Sequence, residues 1–260
     1  MGSATTQALA ASAAALDKQR VGAATARDLF AAARTAAGSS QLSGALADHS
    51  AAPEARAALV GSVFAKLSAG ARNVVATAAA QRWSRPADLI DGLETLAIRA
   101  AAKASDADVA GELFEVSRLV ATNPELELAL GSSLGDAKAK SDLVQKLLGG
   151  VASEATVLIV SELVRELRGR RLRRLLQSAI DIVASQSGRT VATVTTAKPL
   201  TAEQAERLRA TLSRTYGGEI ALNQIIDAGV VGGIRVQIAD DIIDGSISSR
   251  LTDLRQKLAG

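Results

Sequence analysis

The sequence predicts a mainly α protein ending in a small α+β C-terminal domain: two tandem, related helical bundles followed by a β-α-β-β-α unit. Three observations carry that expectation. The strong helix formers Ala, Leu and Arg are abundant and aromatic residues make up only 2% of the chain, with seventeen alanines among the first fifty positions. The chain matches itself at an offset of 84 residues. At Ser187-Gly188 the hydrophobic period drops from about 3.6 to 2.

The offset is visible in ordered pairs. Leu29-Phe30 fall on Leu113-Phe114, Arg34 on Arg118, and Arg56 on Lys140. Leu42, Ala45 and Leu46 fall on Leu126, Ala129 and Leu130, and Leu59-Val60 on Leu143-Val144. The match needs no gap, which favours a duplication; the competing reading is two helical stretches of like composition.

Each copy reads as short helices between turn signals. In the second, Asp106 or Asp108 caps a helix with the stripe Val109, Leu113, Val116, Val120, and Pro124 opens the next with Leu126, Leu128 and Leu130. Asp136 or Ser141 begins a third, ended by Gly149-Gly150. Ser153 opens the most apolar helix, Ala155 to Leu167, and Leu172 to Ala184 completes the bundle. The first copy repeats this layout, with breaks at Gly38-Ser39-Ser40, Pro53 and Gly70. Its last helix starts near Pro86, runs over about 87–104, and also opens the second copy. Domains are therefore expected at 1–90, 91–186 and 187–260.

In the C-terminal part, Thr190–Thr196 is rich in β-branched residues and reads as a strand. Thr201 with Gln204 resembles a capping box for a helix to about Tyr216, stopped by Gly217-Gly218. Strands follow at Ile220–Asp227 and Gly233–Ile238, with a short one at Ile242-Ile243. Asp244-Gly245-Ser246 then begins a helix striped by Ile247, Leu251, Leu254 and Leu258.

Composition excludes most chemistry. The chain has no Cys and one His, His49, which removes thiol catalysis, disulfides and Cys/His zinc sites. A net charge of +3 over 260 residues is small for a nucleic-acid binder. Met1–Leu16 lacks the Lys or Arg of a signal peptide, and no apolar run approaches the roughly 20 residues of a membrane span. A cytoplasmic chain with no direct membrane insertion is expected.

Four features invite a functional reading. Arg168, Arg170, Arg171, Arg173 and Arg174 match what phosphate contacts use, which makes a nucleic-acid-binding or regulatory adaptor the alternative function. Nearby Glu162 and Glu166 favour a solvated turn or an acidic protein contact instead. Gly229, Gly232 and Gly233 lack a phosphate loop's Gly-Lys-Ser/Thr ending and precede a strand, so a turn or bulge fits better. Asp240, Asp241 and Asp244 match no cation-ligand spacing and read as turn acids and a cap, while His49 sits in a polar loop before Pro53. Trp83 falls opposite Leu167 and reads as core. No catalytic constellation, metal site or cofactor site is expected.

The run Gly232-Gly233-Ile234-Arg235-Val236-Gln237-Ile238-Ala239-Asp240-Asp241-Ile242-Ile243-Asp244-Gly245-Ser246, then Leu251, resembles the C-terminal signature of bacterial F-type ATP synthase delta subunits, counterparts of the mitochondrial oligomycin-sensitivity-conferring protein. The likeness extends upstream through Asn123-Pro124-Glu125-Leu126 and the Arg-rich helix end, so that 90–260 resembles a complete delta subunit. Ala239, where the family often has Gly, and Ala228, where Pro commonly follows the Asp, depart from it. The extra N-terminal copy resembles extended actinobacterial forms.

The resemblance implies a non-catalytic stator subunit of the proton-translocating enzyme, one copy per complex, on the cytoplasmic face of the cell membrane. It implies that the helical part holds the N-terminal helix of an α subunit and the C-terminal domain the b subunit of the peripheral stalk, with no nucleic acid and no cofactor. The α helix would lie in a groove between a bundle's first and fifth helices. In the second copy these offer Leu93, Leu96, Ala97 and Ala100, with Thr156, Ile159, Val160 and Leu163. The same eight side chains would equally serve as bundle packing. The first copy's fifth helix offers Ala71, Val74, Val75 and Thr77, so two bundles holding two α termini is a further expectation.

Overall fold

The computed structural model describes residues 2–132, 134–230, 232–238 and 241–246. By contacts the chain divides into two compact units, one through Ile182 and one from Val183.

The first unit is helical. Its helices are α1 (Ser3–Asp17), α2 (Ala23–Ala37), α3 (Ser40–Ala47), α4 (Pro53–Val63), α5 (Ala69–Ala80), α6 (Pro86–Lys103), α7 (Val109–Thr122), α8 (Pro124–Gly131), α9 (Ala137–Leu148), α10 (Glu154–Arg165) and α11 (Leu172–Gln186), which runs across the division. Local chemistry sets the starts. Ser39, Ser68, Asp108, Asp136 and Ser153 each accept a hydrogen bond from a first-turn amide, and Pro53, Pro86 and Pro124 occupy first-turn positions where no amide is needed. Gly70 does not break the chain as expected. It sits in the first turn of α5, and the break spans Phe64 to Ser68.

The elements repeat as the sequence did: α3 and α8 lie 84 residues apart at both ends. The buried Ala26, Leu29 and Phe30 of α2 recur as Ala110, Leu113 and Phe114 of α7. In the fifth helix the register moves to 85. The buried Ala71, Val74, Val75 and Ala78 of α5 align with Thr156, Ile159, Val160 and Leu163 of α10. The structural match therefore contains one inserted residue, in the link before α10 where Gly149 and Ala152 form an isolated bridge.

Helix α6 closes the first copy and opens the second. It packs against α1, α2, α3 and α5 as the last helix of one bundle and against α10 as the first of the next. Leu89, Leu93, Leu96, Ala97, Ile98, Ala100 and Ala101 are all buried, and a helix buried on several faces belongs to a core. Both copies lie within the first unit, apart from the end of α11.

Polar ties stabilise both copies, the first of them at equivalent positions. Asp28 of α2 accepts from the Ser68 amide at 2.7 Å, and Glu112 of α7 from the Ser153 amide at 3.0 Å and its hydroxyl at 2.6 Å. Each carboxylate thus holds the N-terminus of its fifth helix, where the dipole favours negative charge. The buried Arg56 donates to the carbonyls of Ala79, Ala80 and Gln81 at the end of α5. Its counterpart Lys140, also buried, donates to the Ser132 carbonyl after α8.

Trp83 is core, as expected, and is 3% exposed. Its indole Nε1 donates to the Ala78 carbonyl at 2.7 Å, and its ring fills the space a side chain at Gly92 would take. A Cβ there would stand 2.3 Å from the ring.

In the second unit, β1 (Arg189–Thr196) and β2 (Glu219–Ile226) are parallel and joined through α12 (Ala202–Tyr216). β3 (Ile234–Ile238) pairs antiparallel with β1, and β4 (Asp241–Asp244) with β3, giving the order β2-β1-β3-β4. The Thr201–Gln204 capping box is formed. Ala192, Val194, Leu212, Ile220, Val236 and Ile238 make the core.

The signature run acts here as a backbone constraint. Gly233 has φ +81°, and a Cβ on it would lie 2.4 Å from the Gly245 carbonyl oxygen, while the Gly245 amide donates to Ile234 O at 2.9 Å. Asp244 pairs with Arg235 across the hairpin at 2.8 Å and accepts from the Ser246 amide at 3.0 Å. The Ser246 hydrogen bonds, then Arg235, hold the Asp244 carboxyl down to about 2. Asp240, Leu251 and the expected final helix from Ile247 lie outside the described residues.

Replacing Gly92 by Val is expected to displace the only tryptophan and cost roughly 1–3 kcal/mol. Intrinsic fluorescence should shift to the red, with a lowered thermal midpoint; an unshifted emission maximum would contradict the contact.

Candidate partner-docking furrows

The eight groove residues expected in the second copy are interior. Leu93, Leu96, Ala97, Ala100, Thr156 and Ile159 are 0% exposed, and Val160 and Leu163 are 1% exposed. A helix laid on the free chain's surface would touch the outward face of α10 instead, formed by Glu154, Leu158, Ser161, Glu162 and Arg165.

That face looks toward α2 of the first copy across an open cleft and meets it closely only at the C-terminal end of α10. α2 contacts both α6 and α10. The Arg34 guanidinium forms an ion pair with Glu162, which Arg165 also approaches at 3.5 Å. Burial, then the nearby Arg165, lowers the Arg34 pKa from its ordinary value, with Glu166 opposing. The seam among Phe30, Ala33, Ile90, Glu94 and Leu163 encloses about 10 Å³, too little for more than one water. Beside it, between α2 and the α9–α10 hairpin, a cleft of about 670 Å³ opens, lined by Arg27, Ala31, Gln145, Val157 and Leu158. The Ser161 hydroxyl also borders this cleft and is buried with no hydrogen-bond partner.

The matching face of α5 in the first copy differs. Ala69 and Asn73 are exposed and Ala76, Thr77 and Ala80 half-buried, at the positions of Glu154, Leu158, Ser161, Glu162 and Arg165. α1 packs beside α5, with Thr6, Gln7, Ala10 and Ala14 exposed. This face is small-residue and uncharged along α5, apart from Arg72 at its edge.

The arginine cluster is largely engaged within the chain. Arg170 grips Glu94 of α6 with two hydrogen bonds at 2.8 and 2.7 Å, and Arg168 reaches the same carboxylate at 2.7 Å and Asp91 at 2.8 Å. Arg173 pairs with Glu127 of α8 at 2.9 Å. Arg168 takes φ +49°, a rare conformation for a side-chain-bearing residue, at the turn that aims it at α6. Arg171 and Arg174 are exposed. The acidic protein contact foreseen for the cluster is thus met by the chain's own carboxylates, and the nucleic-acid alternative loses three of its five cations. His49 is exposed.

Sequence reasoning missed the part played by α2. Its one signal was the spacing of Ala23, Arg27, Ala31 and Arg34 along the face opposite Leu29, which resembles an ordinary solvated stripe.

The family described as ATP synthase delta (OSCP) subunit matches residues 94–258. A protein of Leifsonia xyli named ATP synthase subunit delta is 48% identical over 264 residues, covering 100% of both chains. One of the same name from Streptomyces avermitilis is 42% identical over 82% of this chain and 81% of its own. The chain belongs to the ATP synthase delta (OSCP) family. It is a non-catalytic, peripheral-stalk subunit of ATP synthase. The full-length match to the Leifsonia protein places the extra N-terminal copy within the relatives' own length. A solved chain in a Toxoplasma gondii mitochondrial ATP synthase hexamer aligns with 64% of this chain and 96% of its own, at 21% identity and a TM-score of 0.40.

Glu112 supplies a pH dependence. Burial would raise its pKa, but the hydrogen bonds from Ser153 and Thr156 outweigh it and hold the carboxyl below its ordinary value of 4.5. With the folded value depressed, its stabilisation is full above the unfolded pKa and is lost as pH falls through the folded one. Glu112→Gln should cost roughly 1–2 kcal/mol near neutral pH. In thermal melts the gap from wild type should shrink below about pH 4.5; a gap that widens on acidification would contradict the assignment.

Proposed function

We propose that the helical unit holds the N-terminal helix of an α subunit of the catalytic head and that the C-terminal unit engages the b subunit of the stalk. One copy of the chain then ties the head to the stator on the cytoplasmic face of the membrane. In this reading the head cannot turn with the rotor, and proton-driven rotation is converted into ATP synthesis.

The observation that supports the α assignment is the small-residue, uncharged outward face of α5 in the first copy. An amphipathic helix docks where small residues allow close approach, and Ala69, Ala76, Thr77 and Ala80 present such a strip along α5. In the second copy the equivalent face carries Glu162 already paired with Arg34. The contact therefore belongs on α1 and α5. Leu93, Leu96, Ala97, Ala100, Thr156, Ile159, Val160 and Leu163 support the spacing of the second copy's helices from inside. Family membership supports the stator role itself. Membrane association comes through the complex: no helix among the described residues is long and apolar enough to cross a bilayer.

Calorimetric titration of the full chain with an α N-terminal peptide tests the placement. Binding should persist in high salt, since the α5 strip is uncharged, and Ala76→Glu should weaken it at least tenfold, about 1.4 kcal/mol. Unchanged affinity in Ala76→Glu would move the site elsewhere.

A further inference from the structure

We infer that the open cleft between α2 and the α9–α10 hairpin is a docking site of its own, separate from the α5 face, and that it takes a mixed-charge helix of the b subunit. The inference rests on the proposed assignment of the α and b subunits as this chain's partners, and it adds a b contact on the helical unit.

The cleft is part of one passage along α10. Its volume of about 670 Å³ lies within the usual range for a site that holds a ligand. It shares Arg27, Glu154 and Leu158 with a neighbouring opening of about 310 Å³, which reaches Ala104 and Asp106 just past α6. α10 is 12 residues long, about 18 Å, and its outward residues from Glu154 to Arg165 line the passage throughout.

The lining suits an occupant with both signs of charge. Arg27, Arg34 and Arg165 are balanced by Asp28, Glu154 and Glu162. Four of these six are already engaged: Arg34 and Arg165 on Glu162, and Asp28 on the Ser68 amide. Among the described residues, Arg27 on the α2 wall and Glu154 on the α10 wall are exposed and have no ion-pair partner. A lone anion or cation would be drawn by one and repelled by the other. A helix carrying an acid toward α2 and a base toward α10 meets both, with Ala31, Ala152, Val157 and Leu158 against its apolar side. The Ser161 hydroxyl makes a further demand. Ser161 is 4% exposed, and its hydroxyl lacks even the bond that a helical serine can make to its own backbone, so a partner in the cleft can satisfy it.

Specificity separates this occupant from the α helix. Where the cleft has Glu154, Ser161, Glu162 and Arg165, α5 has Ala69, Ala76, Thr77 and Ala80. A helix matched to that uncharged strip would leave Arg27, Glu154 and Ser161 unsatisfied in the cleft, which selects against it. Of the two proposed partners, b is the one left for the mixed-charge site.

The absence of cysteine makes this measurable in the full chain. Leu158 is half-buried and borders both openings, so Leu158→Cys places a single thiol at the middle of the passage. Saturating amounts of the b subunit's soluble part, without its membrane span, should slow the reaction of this thiol with a maleimide at least tenfold. The α N-terminal peptide should leave the rate unchanged. Adding Arg27→Glu or Glu154→Arg should remove most of the protection by b; both positions are exposed, and an unchanged labelling rate without b shows that the fold is kept. Bound b that leaves the thiol as reactive as in the free chain would overturn the inference and leave b on the C-terminal unit alone. Protection by the α peptide, or protection by b that neither reversal alters, would also overturn it. Failure of soluble b to bind the unreversed chain at all would instead remove the proposed b assignment on which the inference stands.

Discussion

One helix, α6, has to satisfy two bundles at once, and much of the helical unit follows from that. It supplies the last wall of the first copy and the first wall of the second, so its side chains are buried toward both. Such a helix keeps only a narrow polar stripe, here Asp91, Glu94, Thr95, Arg99 and Lys103, with small and aliphatic residues on its buried sides. Its acids also tie down neighbouring segments. Of those, Asp88 takes Thr5 and Arg85, and Glu94 takes Arg168 and Arg170. Each acid pins a neighbouring segment to the shared helix: the start of α1 in one case, the α10–α11 turn in the other. Gly92 lets the same helix admit the Trp83 ring.

Sharing a helix also explains why the duplication is not symmetric in use. Fused through α6, the first copy brings the end of α2 to the second copy's α10, and the facing residues differ between the copies. Glu162 and Arg165 stand where α5 has Thr77 and Ala80. The two copies thereby present different surfaces, one charged and bordering the cleft beside α2, the other small-residue and uncharged. Stiffness suits a stator, because an internal contact between copies resists bending without needing another subunit.

Much of this was legible in the sequence. The 84-residue repeat, the shared role of the Pro86 helix, the caps at Asp108, Asp136 and Ser153, and the Thr201 capping box all depend on local patterns and appear where expected. The single inserted residue before α10 was not legible, because Gly149-Gly150 already marks a turn and a turn hides a one-residue change. The eight groove side chains implied by the family resemblance lie on the faces that α6 and α10 bury, and the outward residues of α10 leave no periodic apolar signal. The destination of Arg168 and Arg170 was equally hidden, since Glu94 lies more than seventy positions away along the chain. The Gly232-Gly233 pair and Asp244 were readable as a family signature, and their purpose, a close backbone approach at the end of the β3–β4 hairpin, needed coordinates.

The central claim is that α6 makes the two copies one cooperative body. Native-state hydrogen exchange on wild type and Leu96→Ala tests it most directly. That truncation opens a cavity in a side chain with 0% exposure and should cost roughly 2–5 kcal/mol. The account predicts that amides of α5 in the first copy and α10 in the second lose protection by the same free energy. Loss confined to one copy, with the other as protected as in wild type, would contradict it.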